Sequence, residues 1–326
     1  MKLLDDINVT EISNNCIGLT FNNIKHLVDI FGKNDEILNI IEKKLSVEAI
    51  PKGNKIQIFG NSKSVIIAKY TLYELYNRQK IGMNISLNEV NASIRLAREK
   101  MGKNNKEISY KSIIKTQKKT ILPRSINQNI YIESLYKKSL TFGIGPAGTG
   151  KTYLAVAAAA SFLETGTVSK IILSRPAVEA GEKLGFLPGD MKEKVDPYLK
   201  PLYDALYDCL PDTKVERGLA NGTIEIAPLA FMRGRTLENA FIILDEAQNC
   251  NRMQMKMFLT RLGENSKMAI TGDPSQIDLP NKFESGLNHA LNLTSDISEI
   301  SQISFTSNDV VRHPLVSKII KAYENE

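Results

Sequence analysis

The eight residues Gly145, Pro146, Ala147, Gly148, Thr149, Gly150, Lys151 and Thr152 have the spacing GxxxxGK[ST]. They fall between an apolar run at 140–144 and an alanine-rich run at 153–163, so strand, tight loop and helix are expected in that order. A loop that wraps a triphosphate turns its backbone N–H groups inward, which needs positive φ and no Cβ in the way, and glycine supplies both. Lys151 is then placed to reach the β and γ phosphates and the Thr152 hydroxyl to ligate Mg²⁺, while the start of the following helix favours an anion. All eight residues are candidate nucleotide-binding positions, and a chain that must present them between a strand and a helix is committed to an α/β layout.

The residues after the loop support that layout. Apolar runs at 140–144, 170–174, 223–227, 241–244, 267–271 and 300–305 alternate with helical segments. Several are nearly continuous, the pattern of strands buried on both faces of a parallel sheet, whose ligands bind at the carboxyl edge. The run at 241–244 ends in Asp245 and Glu246. An acid at that place can hold the Mg²⁺ that bridges the phosphates, so Asp245 joins Thr152 as a candidate metal ligand. Glu246, one residue on, is free to polarise a water for in-line attack on the γ phosphate, which favours hydrolysis over transfer to a second substrate. The run at 267–271 leads into Gly272, Asp273, Pro274, Ser275 and Gln276. Gln276 or Asp273 can sense the γ phosphate or orient the attacking water, and a plain Gly-Asp-Pro turn is the alternative. Arg312, in Val310-Val311-Arg312-His313-Pro314, is a candidate for stabilising the transferring phosphoryl group, from its own chain or from a neighbour. Gln128 and Tyr131 are read as holding an adenine by an amide hydrogen bond and a stacked ring, against an ordinary helix start. Arg233 and Arg235 flank Gly234 and are candidates for contact with nucleic acid, a neighbouring subunit or the nucleotide.

Charge divides the chain. Residues 1–140 carry 23 Lys and Arg against 13 Asp and Glu, a net of +10, and residues 141–326 carry 19 against 23, a net of −4. From Lys100 to Arg124 there are eight basic residues and one acid, Glu107. Such a stretch suits a phosphate backbone, with a solvated linker as the bland reading. Cys16, Cys209 and Cys250 are far apart and do not pair with His26, His289 or His313, so neither a zinc site nor a disulfide framework is expected. The longest apolar run is too short to span a bilayer and Asp5 and Asp6 spoil a signal peptide, so no membrane association and a cytoplasmic location are expected.

Three pieces follow: a small α/β unit at 1–76, a basic linker with one helix near 87–100 at 77–123, and the nucleotide-binding domain at 124–326. In the first, Leu19, Ile24, Leu27, Val28 and Ile30 are spaced as on one amphipathic helix, Ile37, Leu38, Ile41 and Leu45 as on another, and strands are expected at 47–50 and 55–59, with a helix at 65–76.

In combination these motifs resemble the PhoH family of bacterial P-loop ATPases, whose core is similar to that of superfamily 1 helicases. The likeness runs from about 124 to 315 through Gln128 with Tyr131, the loop at 145–152, the segment at 175–185, Arg233-Gly234-Arg235, Asp245-Glu246-Ala247-Gln248, the segment at 272–280, and Arg312-His313-Pro314. It implies a RecA-like core with a mainly parallel sheet between helices, binding and hydrolysis of ATP with Mg²⁺, association with RNA, a homo-oligomer with a hexameric ring as its form, and an rRNA-processing endoribonuclease as a partner. The front unit resembles the KH-like domain of longer members. Its nearest match to the backbone-clamping GxxG loop is Gly32-Lys33-Asn34-Asp35, which lacks the second glycine. A nucleotide-gated binding module that recruits the nuclease, hydrolyses ATP slowly and unwinds nothing uses the same residues and stands as the alternative.

Overall fold

A computed structural model describes residues 6–102, 112–176, 191–279 and 285–311, with 316 and 319, and the side chains at 102 and 191–198 are not described. The chain forms two compact units, one comprising Met1–Tyr110 with Arg124–Ile126 and the other Lys111–Pro123 with Asn127–Glu326.

The first unit is built from β1 (Ile7–Ser13), β2 (Cys16–Phe21), α1 (Ile24–Phe31), α2 (Glu36–Leu45), β3 (Glu48–Lys52), β4 (Lys55–Phe59), α3 (Ser62–Lys80) and α4 (Leu87–Gly102). Its sheet is antiparallel in the order β1-β2-β4-β3. Leu19 is a strand residue and not part of the first helix: Ile17, Leu19 and Phe21 are buried at every second position of β2, a period of two. The helix begins only at Ile24, where the Asn23 side chain caps it by accepting from the Lys25 N–H at 3.0 Å. The corner between α1 and α2 holds Gly32, Asn34 and Asp35 at φ of 74°, 51° and 57°, which Gly and the short polar Asn and Asp adopt most readily.

The helix expected within 77–123 is α4, and it is part of this unit's core. Val90 and Ile94 are buried with Leu72, Leu75 and Tyr76 of α3, and buried Glu89 pairs with Arg78 of α3 and, at 2.7 Å, with Arg124.

The second unit opens with a short hairpin, β5 (Ile114–Lys115) and β6 (Thr120–Ile121), followed by α5 (Ile126–Lys137), β7 (Leu140–Ile144), α6 (Lys151–Glu164), β8 (Lys170–Arg175), α7 (Met191–Cys209), α8 (Asp212–Asn221), β9 (Ile224–Pro228), β10 (Ala240–Leu244), α9 (Arg252–Leu259), β11 (Lys267–Gly272), α10 (Gly286–Leu293) and β12 (Ile300–Ser304). The six strands from β7 onward pair in parallel in the order β12-β7-β11-β10-β8-β9. Both faces are covered, which is why these strands read as continuous apolar runs. Phe241 and Ile243 of β10 face the side where the buried alanines 155, 157, 158, 159 and 160 of α6 lie, while Ile242 and Leu244 face Met255, Phe258 and Leu287 of α9 and α10. This is the three-layer P-loop NTPase architecture expected from the sequence, with the carboxyl ends of β7, β8, β10 and β11 gathered along one edge.

Cys16, Cys209 and Cys250 are free and buried, and burial pushes the Cys209 thiol up to about 11 and the Cys250 thiol up to about 12. Among the described residues no helix is long and apolar enough to cross a membrane.

The basic stretch from Lys100 to Arg124 is partly engaged within the protein. Lys100 pairs with Glu74 at 2.8 Å, Lys118 with Asp212 at 2.7 Å, Lys119 with Asp208, and Arg124 with Glu89. The pairs of Lys118 and Lys119 are exposed and worth little, whereas those of Lys100 and Arg124 reach buried carboxylates.

Candidate nucleotide site

The loop between β7 and α6 takes the conformation its glycines permit. Gly145, Gly148 and Gly150 have φ of 138°, 82° and 84°. A Cβ at Gly145 would stand 2.4 Å from the Phe305 carbonyl oxygen, so backbone just past β12 closes on the loop where only glycine fits. Neighbouring elements fasten the loop from several sides. Gly145 N–H donates to Gly272 O of β11 at 3.0 Å, Val311 N–H to Gly148 O at 2.9 Å, and the Gln128 side-chain amide to Thr149 O at 2.8 Å. Lys151 is buried, and its ammonium sits inside the loop's curve, donating to Gly145 O at 2.6 Å, Pro146 O at 2.8 Å and Thr149 Oγ1 at 3.3 Å.

Two strands away, the end of β10 meets this loop. Asp245 is buried and its Oδ1 accepts from the hydroxyl of Thr152 at 2.6 Å and from that of Thr271, on the intervening β11, at 2.7 Å. A hydroxyl and a carboxylate oxygen in contact at the start of α6 form a hard donor pair, suited to a small divalent cation that takes its remaining ligands from water and phosphate. Among the described residues no group of three or more His, Cys, Asp and Glu could hold a metal by itself. The residues therefore fit both a phosphate chain and Mg²⁺.

Glu246 has left-handed backbone, φ 52°, uncommon for a non-glycine residue. That turn sends its side chain toward a cavity of about 440 Å³ lined by Arg175, Glu246, Gln248, Asn249, Ser275, Gln276, Ile277 and Asp278. There Oε1 lies 3.1 Å from a guanidinium nitrogen of Arg175, and Oε2 accepts from the Gln248 amide at 2.6 Å. Gln276 lines the same cavity, and its amide donates to Asp273 Oδ2 at 2.8 Å while the Ser275 hydroxyl donates to Asp273 Oδ1 at 2.7 Å. Asp273 is thus the organiser of the turn after β11, and Gln276 is its branch into the cavity.

The structure accordingly brings together the loop residues 145–152, Gln128, Asp245, Glu246 and Gln276. Arg312, most of the 175–185 segment and Pro280 lie outside the described residues. Tyr131 is not a stacking platform. It is fully buried, edge-on to Phe305 at 5.4 Å between ring centroids, and fills the space above Gly143, where a Cβ would stand 2.8 Å from the ring. Burial and the charge of Asp245 push its hydroxyl far up from the ordinary tyrosine value. Arg235 grips Glu225 of β9 with both terminal nitrogens, at 2.5 and 2.7 Å, while Arg233 is exposed. Thr271 and Gln248 were not among the candidate site residues. Thr271 is an unremarkable strand residue in sequence, and Gln248 stood in the Asp245-Glu246-Ala247-Gln248 motif without a role.

A parallel sheet with this loop after one strand, and after another a buried acid that touches the loop's Thr152, defines a P-loop nucleotide-binding protein of the ATPase type. The family model described as PhoH-like protein matches residues 120–324. The chain is 50% identical over 300 residues to a PhoH-like protein of Bacillus subtilis, covering 92% of this chain and 94% of that one. It is 47% identical over 297 residues to one of Mycobacterium tuberculosis, 91% and 84% of the two chains, and 45% identical over 205 residues to Protein PhoH of Escherichia coli, 62% and 58%. The chain belongs to the PhoH family. Among solved structures it has a low similarity to the SWI2/SNF2 ATPase core of Sulfolobus solfataricus, with TM-score 0.34 and 14% identity over 61% of this chain and 47% of that one.

Proposed function

We propose that the protein hydrolyses ATP with Mg²⁺ and that this hydrolysis serves an RNA-associated role. The observation that carries the hydrolase reading is the continuity of the site: Thr152 and Asp245 in contact at 2.6 Å, and Glu246 turned by its left-handed backbone into the adjoining cavity. Lys151 and the loop amides hold the phosphates, Thr152 and Asp245 hold the cation, and Glu246 takes the proton of the attacking water. Mg²⁺, when bound, neutralises charge that develops on the phosphoryl oxygens. Gln276 reports the state of the γ phosphate to the turn after β11. ATP as the nucleotide follows the family resemblance.

RNA association is supported by the +10 charge of residues 1–140 and by exposed Lys25, Lys33, Lys52, Lys55 and Lys63 on the first unit, which we read as a KH-like module. A homo-oligomer, with a hexameric ring as its form, and recruitment of a processing endoribonuclease belong to the same proposal. In an oligomer Arg312 would complete a neighbour's site, and mixing Arg312→Ala with Lys151→Ala protein should then restore part of the activity, whereas no rescue argues for action within one chain. One observation favours the slower, nucleotide-gated binding module: both carboxylate oxygens of Glu246 already have partners. The test is ATP turnover with and without defined single-stranded and duplex RNA over a range of salt. Stimulation that fades with salt is expected, turnover indifferent to RNA at low salt argues against the RNA role, and duplex that is bound but not unwound selects the binding module.

A further inference from the structure

Glu246 is held on two sides by partners of unequal permanence. The Gln248 side chain is 1% exposed and bridges two strand ends, its amide nitrogen donating to Glu246 Oε2 at 2.6 Å and its amide oxygen accepting from the Asp273 N–H at 3.0 Å. The fit around it is close, since a Cβ at Gly272 would stand 2.9 Å from its oxygen. A buried amide with both ends satisfied is costly to move, because either end left bare loses its compensation for desolvation. Arg175 is different. Its side chain is 23% exposed, it ends β8 in the lining of the cavity, and it meets Glu246 Oε1 at 3.1 Å. An ion pair that is partly open to solvent on both sides is weak enough for the guanidinium to exchange the carboxylate for water or another anion.

We propose that these two residues decide when Glu246 can act, Gln248 as a positioning residue that aims the carboxylate and Arg175 as a restraint that occupies the oxygen needed for the attacking water. A general base must offer a carboxylate lone pair within hydrogen-bond reach of the water. Oε2 accepts from the buried Gln248 amide and Oε1 is the oxygen that Arg175 holds, so the guanidinium competes with the water for the oxygen that is less tightly bound. The turn that carries Ser275 and Gln276 is tied to the same amide through Asp273, so a movement there is passed to Glu246 by one rigid group. This inference rests on the hydrolase reading of the site.

The two roles have opposite signs, which a merely structural part in folding would not produce. Steady-state ATP turnover and nucleotide affinity are measured for the full chain and for Arg175→Ala, Arg175→Lys, Gln248→Ala and Gln248→Glu. Arg175→Ala should raise basal kcat by about threefold or more with KM for ATP unchanged, and Arg175→Lys, which keeps the charge, should stay near the parent. Gln248→Ala and the near-isosteric Gln248→Glu, which cannot donate, should lower kcat by about tenfold to a hundredfold, the scale of a misaimed catalytic group, with nucleotide affinity kept. A fall in kcat or a rise in KM for Arg175→Ala overturns the restraint and makes Arg175 a nucleotide contact. Gln248 variants with unchanged kcat overturn the positioning role. Parent turnover with Arg175→Ala no faster sinks only the inference, whereas parent and Arg175→Ala that both bind nucleotide and turn nothing over sink the hydrolase reading with it.

Discussion

The hydroxyl of Thr152 lies 2.6 Å from Oδ1 of Asp245, joining the first turn of the helix after the phosphate loop to the end of a strand that is not its neighbour in the sheet. The strand between them contributes Thr271, whose hydroxyl reaches the same oxygen at 2.7 Å. Three elements thus converge on one carboxylate oxygen, with its position set by the strand order and not by any one of them.

Asp245→Asn keeps an oxygen for both hydroxyls but removes the charge that a divalent cation needs. The expected result is a fold close to the parent and a loss of the Mg²⁺-dependent part of nucleotide affinity by at least about tenfold, ~1.4 kcal/mol. Titrating nucleotide with and without Mg²⁺ checks it, and an unchanged Mg²⁺ effect places the cation elsewhere.

Lys151 and Glu246 should fail differently. Lys151→Ala removes the ammonium from the loop and should weaken nucleotide binding itself. Glu246→Gln should bind nucleotide as the parent does while turnover falls by about a hundredfold or more, the usual weight of a general base. Equal losses of affinity in both variants would show that the roles are misassigned.

Tyr131→Phe tests the burial of that ring. Its hydroxyl is buried and has no hydrogen-bond partner among the described residues, so removing it should leave stability unchanged or raised by ~1 kcal/mol, since an unsatisfied buried polar group costs about that much. Nucleotide affinity should not change. A selective loss for adenine nucleotides would restore a direct role.

The pair between Arg235 and Glu225 should give a pH-dependent share of stability. The Arg235 hydrogen bonds, set against burial, hold the Glu225 carboxyl below the ordinary glutamate value. A lowered folded-state value means stability that is present above the unfolded value of about 4.3 and lost as pH falls through the folded one. Both side chains are about a third exposed, so the share is under ~1 kcal/mol. Thermal unfolding of Arg235→Ala against the parent should show a gap near pH 7 that narrows toward pH 3.5, and a constant gap would assign the effect to packing against Met232.

What could be read without coordinates was local. The loop at 145–152 is one contiguous string with its own strand and helix, and the buried strands were legible because a strand covered on both faces is apolar at every position. An ambiguous period leaves an element undecided, as with Leu19, which fits a helix joined to Ile24 and fits a strand with Ile17 and Phe21 equally well until the sheet forms. The burial of Tyr131, the pairing of Arg235 with Glu225, and the bridge from Asp273 through Gln248 to Glu246 all depend on which elements lie side by side.

Sequence alone determined that this chain carries a phosphate loop on a parallel sheet with Asp245 and Glu246 at the end of one strand, because those features reside in short segments with fixed spacing. Tertiary structure alone decided how Glu246 is held. The strand order β12-β7-β11-β10-β8-β9 sets residues 175, 246, 248 and 276 around one cavity, and no periodicity along a chain encodes a contact between strands that are adjacent in space and distant in sequence.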